Sequence, residues 1–95
     1  MTRTRYLVCY DIADPMRLRR VCQIMQGFGV RMQYSVFLCD LAADELTDLR
    51  FALRSAVHQA VDSVIIISLG PAYDASGFEF VGRAPSLPDG SPNVF

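Results

Sequence analysis

The sequence predicts a small two-layer α+β domain in the order β-α-β-β-α-β, with both helices on one face of an antiparallel sheet. Three observations predict it. Apolar, strand-like runs over residues 5–12, 31–41 and 62–69 alternate with two stretches of helical periodicity. The middle run spans about eleven residues, long for one strand, and Tyr34-Ser35 marks where a tight hairpin or bend divides it. The chain has 95 residues, 52% of them hydrophobic, which suffices for one such core and not for two. This is a ferredoxin-like sandwich, and one face of its sheet is left bare. A second copy of the chain is the simplest cover for that face, so a homodimer is expected.

Arg5 to Ile12 is rich in β-branched and aromatic residues and is apolar at nearly every position, as a central strand should be. Asp14-Pro15 follows, a good N-cap before a residue favoured at the first helical position. Leu18, Val21, Cys22, Met25 and Phe28 then recur at helical spacing until Gly27 and Gly29 end the helix. Asp44 to about Ala60 is the clearest helix. Leu46, Leu49, Leu53 and Val57 share one face, and acids crowd its first turn, where the helix dipole favours them. Asp62 to Leu69 reads as a buried strand broken by Gly70-Pro71, and Phe78 to Val81 as an extra short C-terminal strand. The folded domain is thus expected over residues 1–82, with residues 83–95 a flexible Pro/Ser/Gly-rich tail.

No apolar run approaches the roughly 20 residues of a membrane helix, and the N-terminal residues lack the pattern of a secretory signal. A cytoplasmic protein is expected. Cys9, Cys22 and Cys39 are an odd number without C-x-x-C spacing, which fits reduced thiols. The net charge is −1, yet residues 1–31 carry +4 and residues 32–95 carry −5, and every basic residue is arginine. That split points either to a positive surface made by the first half or to a compositional preference for arginine.

Asp11 is an acid at the end of an otherwise apolar strand. A carboxylate there must be paired, hydrogen-bonded or bound to a cation. It therefore either holds a cation or serves the turn into the first helix, as a cap or as the partner of an arginine. In the functional reading, one carboxylate suits a hard cation such as Mg²⁺. A two-fold dimer would bring a second Asp11 to the same ion, which would orient a water toward a phosphodiester. Arg17, Arg19 and Arg20 either grip a phosphate backbone or form a solvated helix face, and Arg31 is placed to reach the same surface. Tyr10 and Phe37 either stack on bases or belong to the core. Ser35 either donates to a phosphate or makes the turn, and His58 reads as structural. No metal-ligand spacing of His and Cys, nucleophilic triad, P-loop or dinucleotide fingerprint is present.

Tyr6-Leu7-Val8-Cys9-Tyr10-Asp11-Ile12, Leu18-Arg19-Arg20-Val21 and Arg31-Met32-Gln33-Tyr34-Ser35-Val36-Phe37, in this order, resemble the Cas2 family of small CRISPR-associated adaptation proteins. Asp62-Ser63-Val64 fits as the opening of the last core strand, so the resemblance runs from Tyr6 to about Leu69. It implies a ferredoxin-like homodimer whose last short strand, here Phe78 to Val81, crosses to the partner's sheet. It implies an endonuclease acting on single-stranded RNA or double-stranded DNA, with Mg²⁺ or alternatively Mn²⁺ held by Asp11 of each subunit. Arg19, Arg20 and Arg31, with Tyr10, Ser35 and Phe37, fall at or beside positions that contact the substrate. The family also bridges integrase dimers and holds DNA during spacer acquisition, so a non-catalytic adaptor is the rival expectation. An RNA-cleaving toxin of the same fold is a third. The sequence departs from the family pattern at Leu38, where a polar or acidic residue is common, and at Ile65-Ile66-Ile67, where an arginine is common. These changes imply weaker nucleic-acid affinity outside the first half.

Overall fold

The computed structural model describes residues 2–73, 77–83 and 85. Its elements are β1 (Thr4–Asp11), α1 (Pro15–Gln26), β2 (Val30–Gln33), β3 (Val36–Leu41), α2 (Ala43–Ala56) and β4 (Ser63–Pro71). The four strands form one antiparallel sheet in the order β2-β3-β1-β4. This is the ferredoxin-like arrangement expected, with β1 and β3 central and the other two strands at the edges.

Strand alternation sorts the side chains. Val8 and Tyr10 of β1 and Phe37, Cys39 and Leu41 of β3 face the helices. There they meet Val21 and Met25 of α1 and Leu46, Leu49 and Leu53 of α2. Leu7, Val36 and Leu38 face the other way, onto the side that carries no helix. Across that open face Arg5 pairs with Asp40, its register partner on β3, through bonds of 2.7 and 2.9 Å. This fork-to-fork geometry is why an arginine can be buried in a strand.

The caps follow from the sequence. Asp14 accepts from the Arg17 amide at 2.9 Å and Pro15 opens α1. Glu45 reaches back to the Ala42 amide at 2.8 Å at the start of α2. Gly29 lies so close to the sheet that a Cβ there would run into the Leu38 carbonyl and the Cys39 sulfur. Tyr34 and Ser35 form the two-residue turn between β2 and β3.

Three boundaries differ from the sequence reading. α2 stops at Ala56 rather than near Ala60, because the Asp62 carboxylate takes the His58 amide at 2.8 Å and closes a turn instead. β4 runs on through Gly70 to Pro71. It is an edge strand, where proline is tolerated, and Gly70 at φ +93° lies at an irregularity in the β1–β4 register. Phe78 to Val81 forms no strand within the single chain. Phe78 and Phe80 pack on the open face against Leu7, Val36, Met32 and Leu38, where no strand edge is offered. Most of the expected tail, all of it except Arg83 and Pro85, lies outside the described residues. Among the described residues no helix is long and apolar enough to cross a membrane.

Candidate functional site

Asp11 is the last residue of β1 and sits opposite Ser63 of β4. Alternation puts it on the open face with Leu7 and Cys9, and it is exposed. Its carboxylate makes no hydrogen bond or ion pair among the described residues. The two structural duties that the sequence left open for it are filled by others. Asp14 caps α1, and Asp62 takes the arginine of that helix.

Asp62, which the sequence shows only as the opening of the last strand, anchors this end of the sheet. Its side chain is 0% exposed and accepts four bonds. Arg17 gives it Nε at 2.8 Å and a second guanidinium nitrogen at 3.2 Å. The Ala13 amide donates at 2.9 Å and the His58 amide at 2.8 Å. One carboxylate thus joins the β1–α1 loop, helix α1 and the turn into β4, and it fixes the backbone two residues beyond Asp11. Asp62→Ala strips all four donors of their acceptor. It should lower the melting temperature by roughly 10 °C, read by circular dichroism, and an unchanged melt would refute this role.

The hydrogen bond from Arg17 is the main force holding Asp62 well below the usual carboxylate range, with the His58 and Ala13 amides adding to it. Glu45 is lowered too, chiefly by the Ala42 amide and then by Arg3. A carboxylate with a depressed folded-state pKa contributes stability above its unfolded pKa, about 4. It loses that contribution as pH falls through the folded value. The urea midpoint should therefore hold from pH 7 to about 4 and fall steadily below. A flat midpoint down to pH 2.5 would contradict it.

On the helix side of the sheet a cavity of about 400 Å³ opens between α1 and β2, with Tyr10, Arg19, Cys22, Arg31 and Tyr34 in its walls. The Arg31 guanidinium lies over two rings, 5.9 Å from the centroid of Tyr34 and 5.6 Å from that of Phe37, and donates to the Cys22 sulfur at 2.6 Å. Tyr10 is 5% exposed. Its hydroxyl rests against Cys22 and Arg31 without a well-formed hydrogen bond to either. Burial, then the neighbouring Cys22, raises its pKa, so it stays a neutral phenol. Ser35 makes the turn, and its carbonyl accepts the Tyr10 amide at 3.1 Å.

The structure therefore separates the expected site residues. Asp11 is on one side of the sheet; Tyr10, Arg19 and Arg31 gather on the other. Arg20 is exposed on α1. Two residues are corrected. Arg17 is committed to Asp62 and is not a free phosphate ligand. Phe37 is 0% exposed, 6.2 Å from the Tyr10 ring, and presents no face to a base. The Tyr34 ring, by contrast, is exposed. Cys9 and Cys22 are half-buried and Cys39 is buried, all as free thiols. Burial, with Asp40 nearby, pushes the Cys39 thiol up to about 12, which keeps it inert.

Among the described residues no three His, Cys, Asp or Glu side chains converge on a metal position. The free Asp11 carboxylate is a hard oxygen donor of the kind Mg²⁺ takes. Among the described residues Asp11 brings one such donor to this end of the sheet.

Comparison with known proteins places the chain in a family. Residues 4–76 match the model of a family described as CRISPR associated protein Cas2. The chain is 40% identical over 88 residues to a Thermodesulfovibrio yellowstonii protein named CRISPR-associated endoribonuclease Cas2 2, covering 93% of each. It is 34% identical over 94 residues to a Halalkalibacterium halodurans protein named CRISPR-associated endonuclease Cas2, covering 94% of this chain and 97% of that one. Among solved structures, a hypothetical protein from Thermus thermophilus superposes with a TM-score of 0.79 at 30% identity, over 90% of this chain and 98% of the other. A Streptococcus pyogenes Cas2 superposes with a TM-score of 0.66 at 32% identity, over 70% and 86%.

Proposed function

The chain belongs to the CRISPR-associated protein Cas2 family, and from that premise we propose that it is a metal-dependent endonuclease of CRISPR spacer acquisition, acting in the cytoplasm. The observation that carries the reading is the free Asp11 carboxylate. It ends the central strand with no partner among the described residues, while Asp14, Asp40, Glu45 and Asp62 have structural partners; Asp44, Asp48 and Glu79 are also without a side-chain bond there, but none of them ends a core strand.

Two chains pair through their open faces. Ile65, Ile67 and Leu69 of the edge strand β4 are 55%, 44% and 42% exposed and form an apolar ridge that such pairing covers. Asp11 lies beside the start of β4, so the Asp11 carboxylates of two chains paired at that end would hold the ion between them. When bound there, Mg²⁺, or Mn²⁺ in its place, supplies charge neutralisation at the phosphate and a water of lowered pKa. Asp11 from each chain holds and orients that ion. Arg19 and Arg20, exposed on α1, fix the phosphate backbone of RNA or DNA by charge-assisted bonds.

The rival is a non-catalytic dimer that holds DNA and bridges integrase subunits. The presence of one carboxylate per chain, with no denser ligand cluster among the described residues, favours it. Labelled single-stranded RNA and double-stranded DNA incubated with Mg²⁺ or with EDTA separate the two. Cleavage that EDTA stops supports the enzyme and reveals its substrate. An intact, folded dimer that cuts neither, with Mn²⁺ as well, supports the adaptor.

A further inference from the structure

The three cysteines stand in different surroundings, and those of Cys22 are chemically distinctive. Cys22 is half-buried and lines the cavity of about 400 Å³ between α1 and β2, so a small molecule can reach its sulfur. Arg19 and Arg31 share that wall, and among the described residues no carboxylate does. Reactive cysteines sit in partly exposed, electropositive surroundings of this kind, whereas cysteines buried among apolar groups are inert. Cys9 lies on the open face, where its register partners are Val36 and Ile65. Cys39 is fully buried in the core. The groups around the Cys22 sulfur supply a second, independent observation. Arg31 donates to that sulfur, and its guanidinium is held over the Tyr34 and Phe37 rings. The Tyr10 hydroxyl rests against the same sulfur on a side chain only 5% exposed, and no hydrogen-bond partner satisfies it. A buried donor left in that state costs stability. Sulfur is a weak acceptor, so two donors meet at an atom that can use neither well. An oxygen carried by that sulfur would serve both.

We propose that Cys22 is a site of oxidation by hydroperoxides, its sulfenic acid held by Arg31 and Tyr10. The sulfur attacks one oxygen of hydrogen peroxide. An S–O bond forms as the O–O bond breaks, and the sulfur gives up the two electrons that the peroxide takes. The thiol proton leaves with the second oxygen as water. Arg31 stabilises the negative charge that develops on the peroxide oxygens during this transfer. The new sulfenic oxygen then accepts from Arg31 and from the Tyr10 hydroxyl, which gains the partner it lacks. Cys9 is on the other face of the sheet, so it does not consume the acid as a disulfide. This chemistry uses neither Asp11 nor a nucleic acid, so it stands apart from the cleavage reading.

The test exposes the full chain to excess hydrogen peroxide with dimedone, which captures sulfenic acids, and reads each cysteine by peptide mass spectrometry. Cys22 should be labelled at least about 10-fold faster than Cys9, the two being equally half-buried. Cys39 should stay unlabelled until the chain is unfolded. Arg31→Met, which keeps the length of the side chain and removes its donors, should slow the labelling of Cys22 about 10-fold, the worth of one charge-assisted bond. Tyr10→Phe removes the hydroxyl alone. It should leave the rate of oxidation near that of the parent and shorten the life of the acid, read by adding dimedone after the peroxide is removed. In the parent, oxidation should shift the NMR signals of Arg31 and Tyr10 and leave those of Leu7, on the other face, in place. Equal labelling of Cys22 and Cys9 overturns the proposal. So does an Arg31→Met chain that is folded by circular dichroism and is oxidised at the parent's rate. The comparison of Cys22 with Cys9 uses the parent alone, so it decides the matter even where a variant fails to fold.

Discussion

Asp11→Ala should eliminate the proposed metal-dependent cleavage, a fall of at least about 100-fold, and leave the fold intact. The two halves of this expectation have separate causes. The carboxylate is exposed and has no partner among the described residues, so removing it breaks nothing. The melting temperature should move by no more than about 3 °C, the range of a neutral surface change. The activity falls because the remaining ligands of the ion would be water. Asp11→Asn, which keeps the size and loses the charge, should be nearly as inactive. The comparison is made by initial rates on labelled RNA and DNA, with circular dichroism on the same samples. Full activity in Asp11→Ala would end the metal mechanism.

Phe37→Ala should destabilise the protein by about 3–5 kcal/mol. The ring is fully buried between the Tyr10 ring and the helix layer, and Arg31 lies over it at 5.6 Å. Truncating a buried phenylalanine costs about 3–5 kcal/mol. A domain of this size has on the order of 5–15 kcal/mol in total, so the loss consumes much of its stability. Phe37→Leu should cost less than about 1.5 kcal/mol, because volume is largely kept. Urea denaturation measures both. A base-stacking Phe37 would behave in the opposite way, with Phe37→Ala folding as the parent does and losing nucleic-acid affinity alone.

The helices and strands were legible because their signals are local. Asp14-Pro15 caps a helix wherever it occurs, and the apolar spacing of α2 has no strand alternative. The run over 31–41 divides at Tyr34-Ser35 as its length requires. What the sequence left unresolved depends on contacts between distant segments. Asp11 and Asp62 are both acids at a strand end, and only the tertiary arrangement shows that Asp62 meets Arg17, Ala13 and His58 while the Asp11 carboxylate bonds to none of the described residues. That also explains why Arg17 reads as part of a basic cluster when its charge is already taken. Phe37 and Tyr34 are separated by two residues and one turn, and pleat direction decides which of them is core. Tyr10 and Asp11 are neighbours in sequence, so alternation sends them to opposite faces.

In the proposed dimer two Asp11 carboxylates share one cation. Titration of the dimer with Mn²⁺, followed by the loss of its free-ion electron paramagnetic resonance signal, tests it directly. One ion should bind per two chains in the parent and none at that affinity in Asp11→Ala. Binding of the same stoichiometry and affinity in Asp11→Ala would contradict it.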